Sequence, residues 1–136
     1  MQKKPPLAAV MTPFPYAIDV EARIAEAAVM MEKHAIHHLP VTAGTEIVGM
    51  ISARDLADRD SHQRRVREVF TAEPYVVDLG TPLDEVLFTM ATRHLGSAII
   101  TRHGKLAGIF TTVDACRSFA AFLRELFPPT PDDIVA

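Results

Sequence analysis

The amino-acid sequence predicts an α/β fold built from two β-α-β-β-α repeats related by pseudo-two-fold symmetry. Three observations carry that prediction. Residues 49–55 read GMISARD, and the phrase returns 59 residues later as GIFTTVD at 108–114. The same offset aligns residues 10–57 with 69–116 without a gap, with identities such as Val10/Val69, Thr12/Thr71, Tyr16/Tyr75, Asp19/Asp78 and Met31/Met90. Finally, Ile24, Ala27, Ala28 and Met31 fall at i, i+3, i+4 and i+7, the stripe of an amphipathic helix, and Leu83, Val86, Leu87 and Met90 repeat it. Two copies are too few for a solenoid, which needs about three stacked units. A symmetric pair is expected instead.

Each copy reads in the same order. YAI and YVV are short extended segments ending at Asp19 and Asp78, acidic residues that suit the positive end of a following helix. Pro82 falls near the first turn of the second copy's helix, where a missing N–H costs nothing. The helices are expected to end near His34 and His94. LPVT and SAIIT then pair with IVGMI and LAGIF across turns at AGTE and RHGK, each pair forming a hairpin. Second helices are expected to begin at SARD and TTVD. The chain accordingly divides into a lead-in (1–9), repeat one (10–59), a linker (60–68), repeat two with an extended final helix (69–126) and a loose, proline-rich tail (127–136).

Composition narrows the function. The 136 residues carry a net charge of -3, with no basic excess that would point to nucleic acid or an acidic membrane surface. No apolar run approaches the roughly 18 residues of a membrane helix, and LAAVM between prolines is too short for a secretory signal. A cytoplasmic location is expected. Cys116 is the single cysteine, which excludes an intrachain disulfide and a multi-cysteine zinc site.

GMISARD and GIFTTVD stand where a buried strand hands over to a helix. Gly49 and Gly108 in mid-strand mark a bulge or the close approach of another backbone or a ligand. Ser52 and Thr111 occupy the N-cap positions, with Asp55 and Asp114 three residues on, so a capping box is the simpler reading. The same atoms allow another use. Free N–H groups and a hydroxyl suit a phosphate, and a carboxylate can accept both hydroxyls of a ribose. Together these mean a nucleotide.

With the MTP lead-in, HHLPVT…IVGMISARDL and SAIITRHGKLAGIFTTVDA, the chain closely resembles the CBS domain, the cystathionine-β-synthase regulatory motif, over residues 10–59 and 69–118. The resemblance implies a tandem pair, or Bateman module, packed sheet to sheet. Such modules are non-enzymatic sensors of adenosyl ligands (AMP, ADP, ATP or S-adenosylmethionine) and commonly form flat dimers. It also implies two clefts. Thr111 and Asp114 would face Thr12, Tyr16, Ile36, His37 and His38, with Asp114 on the ribose, Thr111 and the histidines by the phosphate, and Tyr16 and Ile36 flanking adenine. Ser52, Arg54 and Asp55 would face Tyr75, Val76, Leu95, Gly96 and Ser97. Gly96-Ser97 replaces the basic doublet there, and Val113 stands where the first copy has Arg54, so the Asp114 cleft is expected to be the stronger.

Other readings are weaker. His34, His37 and His38 in HAIHH would share one helical face and could hold zinc, but Pro40 in the HLPV that follows ends helical geometry near them. No metal and no required cofactor are expected. His34 is read instead as a charge suited to a helix C-terminus. RRVRE at 64–68 lies among Asp55, Asp58, Asp60 and Glu68 and reads as a solvated linker, not a nucleic-acid site. No nucleophile–base pair stands out, and Cys116, within the final helix, reads as an inert buried thiol. Val29-Met30-Met31 and Val86-Leu87-Phe88 are apolar over more arc than one core-facing stripe needs, which predicts a homodimer through these helices, and the final helix, CRSFAAFLRELF, is apolar enough to join it. Output would pass to a separate effector protein. The alternative function is a ligand-independent dimeric scaffold in which Ser52–Asp55 and Thr111–Asp114 only cap helices.

Overall fold

The structure is a computed structural model, described over residues 4–13, 16–57 and 64–134. In chain order it contains α1 (Leu7–Val10), β1 (Thr12–Pro13), β2 (Ile18–Asp19), α2 (Ile24–His34), β3 (His38–Ala43), β4 (Glu46–Ser52), β5 (Thr71–Ala72), β6 (Val76–Asp78), α3 (Leu83–Arg93), β7 (Ser97–Arg102), β8 (Lys105–Thr111) and α4 (Thr112–Leu126). Single 3₁₀ turns cover Ala53–Leu56, Val66–Glu68 and Pro131–Ile134. Helices α2 and α3, and both hairpins, coincide at the 59-residue offset read from the sequence.

Two compact units form. One comprises Met1–Phe14 with Tyr75–Ala136, and the other Pro15–Pro74. The first unit's sheet has the order β1-β8-β7-β6 and the second's β2-β3-β4-β5. In both, the central hairpin is antiparallel, the strand before the long helix joins it in parallel, and a two-residue strand closes the other edge. That edge strand comes from the opposite repeat. β1, which opens the first repeat, pairs with β8, and β5, which opens the second, pairs with β4. The turns ahead of these strands supply plugs, Leu7 (1% exposed) and Val66 (0%), so each lead-in is buried in the unit that holds the other repeat's hairpin. Compact units and sequence repeats therefore have different boundaries. Val66 departs from the solvated linker expected at 64–68, although the arginines around it stay outside, with Arg67 paired to Glu21 at 3.6 Å. The rest of that linker, 60–63, lies outside the described residues, as do 58 and 59 at the end of repeat one.

The helical stripes behave as their spacing predicts. Ile24, Ala27 and Met31 are buried on α2, and Leu83, Val86 and Met90 on α3. Asp19 and Asp78 do not cap these helices. Each accepts from the backbone two residues on, Glu21 N at 2.8 Å and Gly80 N at 2.9 Å, turning the chain out of the strand. Both helices stop on a left-handed residue, Ala35 (φ 52) and His94 (φ 55), and the next amide returns to the helix, Ile36 N to Met31 O and Leu95 N to Met90 O. That turn takes His37 and His38 off the helical face they would have shared with His34.

Gly49 and Gly108 answer to both features expected of them. The ladder opposite each slips by one residue, between Val41 and Thr42 and between Ile100 and Thr101. A Cβ at Gly108 would stand 2.7 Å from Thr12 O, and one at Gly49 would collide with the Phe70 ring and Thr71 O. The edge strands can dock because these positions have no side chain.

SARD does not begin a long helix. It opens only the 3₁₀ turn Ala53–Leu56, whereas TTVD opens the fifteen-residue α4. Along α4 the single buried residue is Asp114. Phe119 (62% exposed) and Phe122 (47%) face outward, and so does Cys116, which corrects the expectation of a buried thiol. Residues 127–132 of the tail are exposed, and a 3₁₀ turn covers Pro131–Ile134.

Candidate functional site

In the first unit the site is built around Asp114, 3% exposed. Strand β8 ends at Thr111, and the turn into α4 folds the carboxylate back over it. Thr111 donates twice to Oδ2, from its backbone N at 2.9 Å and its Oγ1 at 3.2 Å. The Asp114 amide returns a bond to Thr111 Oγ1 at 3.3 Å, completing the capping box. The other oxygen, Oδ1, accepts from Thr12 Oγ1 at 3.0 Å and from Arg117 Nη1 at 3.3 Å. Four donors thus hold one buried carboxylate, which is what burial of a charge requires. Thr12 reaches it because β1 is seated on β8.

Gly96 and Ser97 adjoin this cluster. Thr112 N donates to Gly96 O at 3.1 Å, and Ser97 lies opposite Thr111 in the ladder. Val76 is 41% exposed on β6, while Tyr75 and Leu95 pack partly against the core. Arg93, from the end of α3, stands over the Tyr75 ring at 5.6 Å.

The second unit repeats the constellation with fewer bonds. Ser52 donates to Asp55 Oδ2 from its backbone N at 2.8 Å and its Oγ at 3.1 Å. No donor among the described residues takes the place of Thr12 or Arg117 at Oδ1, and the Asp55 carboxylate is half-buried. Ala53 N donates to His37 O at 2.8 Å, and His38 lies opposite Ser52, so both histidines stand beside Ser52–Asp55. Burial pushes the His38 imidazole below its ordinary pKa, His37 adds to that, and Asp55 opposes it. Arg54 is exposed, and Ile36 is half-buried. Tyr16 stacks on His34 at 3.9 Å with the rings 19° apart.

The expected residues therefore gather by unit. Thr12, Tyr75, Val76, Leu95, Gly96, Ser97, Thr111 and Asp114 belong to one, and Tyr16, Ile36, His37, His38, Ser52, Arg54 and Asp55 to the other. Two features escaped sequence reasoning. Each tyrosine is covered by the residue ending its own unit's long helix, His34 or Arg93, positions that are equivalent at the repeat offset. Arg117 is the other, and the alignment contained a signal for it: the equivalent position in the first repeat is acidic Asp58. Among the described residues no group of three or more His, Cys, Asp or Glu could hold a metal ion, and no helix is long and apolar enough to cross a membrane.

Comparison with known proteins fits this architecture. YlbB of Bacillus subtilis (strain 168) is 32% identical over 96 residues, covering 65% of this chain and 65% of its own. The chain spans less than two thirds of its curated relatives, down to 22% and 19% of two longer ones. Among solved structures, the CBS domain pair of protein MJ0100, in complex with 5′-methylthioadenosine and S-adenosyl-L-methionine, superposes with a TM-score of 0.77 at 22% identity, over 88% of this chain and 99% of that one. The CBS domain of a bacterial CNNM/CorC family Mg²⁺ transporter in complex with ATP gives 0.72 at 26% identity, over 85% and 87%. The CBS domain family model matches residues 7–62 and 66–121. With both repeats matched and the fold of known CBS pairs reproduced, the chain belongs to the CBS domain family.

Proposed function

We propose that this CBS pair is a non-enzymatic regulatory module that binds an adenine nucleotide and passes its ligand state to a partner protein. The observation that carries the reading is the duplicated hydroxyl-x-x-aspartate at a strand end, Ser52–Asp55 and Thr111–Asp114. Each sets a carboxylate beside backbone amides, a combination able to accept ribose hydroxyls and to donate to phosphate. Support comes from relatives solved with adenosyl compounds, one with ATP and one with S-adenosylmethionine and 5′-methylthioadenosine. A nucleotide that prefers one state of the module shifts the equilibrium by its difference in affinity between the two.

A second copy is proposed to associate through α2 and α3. The equivalent residues Val29 and Phe88 are 64% and 73% exposed on these helices. Sedimentation should show a dimer at micromolar concentration. A monomer, with and without nucleotide, contradicts it.

One observation favours the alternative, a scaffold that binds no ligand: both aspartates already serve as helix caps, and every donor around Asp114 is engaged. A calorimetric screen of AMP, ADP, ATP and S-adenosylmethionine separates the two. Saturable binding of at least one compound is expected, weakened by Asp114→Ala and by Asp55→Ala, with the larger loss at Asp114. The absence of binding by all four selects the scaffold.

A further inference from the structure

Resting on the adenosyl reading above, we infer that Arg117 is the phosphate-binding cation of the Asp114 site and makes that site select phosphate-bearing adenosyl ligands over S-adenosylmethionine. The repeats arrange charge differently around their aspartates. The first reads SARDLAD, with Arg54 before Asp55 and Asp58 three residues after it. The second reads TTVDACR, with Val113 before Asp114 and Arg117 three residues after it. One arginine accompanies each aspartate, moved from the residue before it to the next helical turn.

Geometry makes Arg117 usable. Its Nη1 lies 3.3 Å from Asp114 Oδ1, while its side chain is 72% exposed and that of Asp114 4%. The arginine side of the pair is open to water, so the guanidinium can leave once another donor takes its place on the buried carboxylate. Ribose hydroxyls at Asp114 would replace the donors on Oδ1, Thr12 Oγ1 and Arg117 Nη1. The released guanidinium then stands within a side-chain length of a 5′-phosphate on that ribose. There it can form a bidentate, charge-assisted contact. S-adenosylmethionine carries a sulfonium in place of the phosphate, with its one carboxylate at the far end of the methionyl chain, so it sets a like charge nearest this cation.

The test follows the Thr111 backbone amide by NMR, because that amide donates to Asp114 and reports this site alone. AMP, adenosine and S-adenosylmethionine are titrated into the natural chain, Arg117→Gln and Arg117→Lys. Arg117→Gln should weaken AMP about tenfold, as loss of a charge-assisted contact does. It should leave adenosine unchanged and S-adenosylmethionine no weaker, and Arg117→Lys should restore part of the AMP affinity. Equal shifts for AMP and adenosine, or no shift for either, overturn the assignment while leaving adenosyl binding intact. If none of the three moves the Thr111 amide in the natural chain, the adenosyl reading of this site fails, and the assignment fails with it.

Discussion

The two compact units share their long helices and hairpins at a constant offset, yet they treat equivalent aspartates differently. Asp114 is buried under four donors, two of them supplied by residues outside its own cap, Thr12 and Arg117. Among the described residues, Asp55 receives only the donors of Ser52. The contrast traces to local sequence. α4 runs for fifteen residues and carries Arg117 back over the cap, while the second unit's helix amounts to a four-residue turn among the described residues. Duplication preserved the frame, and divergence changed how tightly each acceptor is held.

The largest effects should come from the core positions that match between the units, Ile51 and Phe110, both fully buried. Phe110→Ala should cost about 3–5 kcal/mol and Ile51→Ala about 2–5, read by urea denaturation. Separate transitions for the two variants would show that the units unfold independently. Next are the aspartates. Asp114→Ala strips the acceptor from four side-chain and backbone donors and should cost about 3 kcal/mol, against about 1 for the cap lost in Asp55→Ala. Equal losses would remove the difference argued above. Gly108→Ala and Gly49→Ala, which force the edge strands outward, should each cost about 1–3 kcal/mol, with faster amide exchange confined to the displaced strand.

The smallest effect is a pH dependence in the second unit. Burial depresses the folded pKa of His38 below 6.5, so the unfolded chain binds more protons in the window beneath that value. Stability should therefore be greatest above pH 6.5 and decline as acid protonates His38. His38→Gln should flatten this slope. An unchanged slope would contradict the assignment to His38.

Much of this was legible beforehand because it depends on period and offset. The stripes at Ile24–Met31 and Leu83–Met90 fixed both helices, and the glycines at 49 and 108 announced a close approach. What stayed hidden depends on tertiary pairing. Nothing in MTP or FTAEP says that its two-residue strand completes the other repeat's sheet. Likewise, the exposure of Cys116 depends on which side of α4 meets the core. The capping box was readable as a spacing, but the bond from Thr12 to Asp114 spans 102 positions and needed the fold.

The most direct test is equilibrium dialysis of AMP against the natural chain and against Asp55→Asn/Asp114→Asn, with folding of both verified by circular dichroism. If the twin carboxylates receive the sugar, the folded double variant should lose at least about tenfold in affinity, as expected when a charged hydrogen-bond acceptor is removed. Retention of the natural affinity would contradict the account.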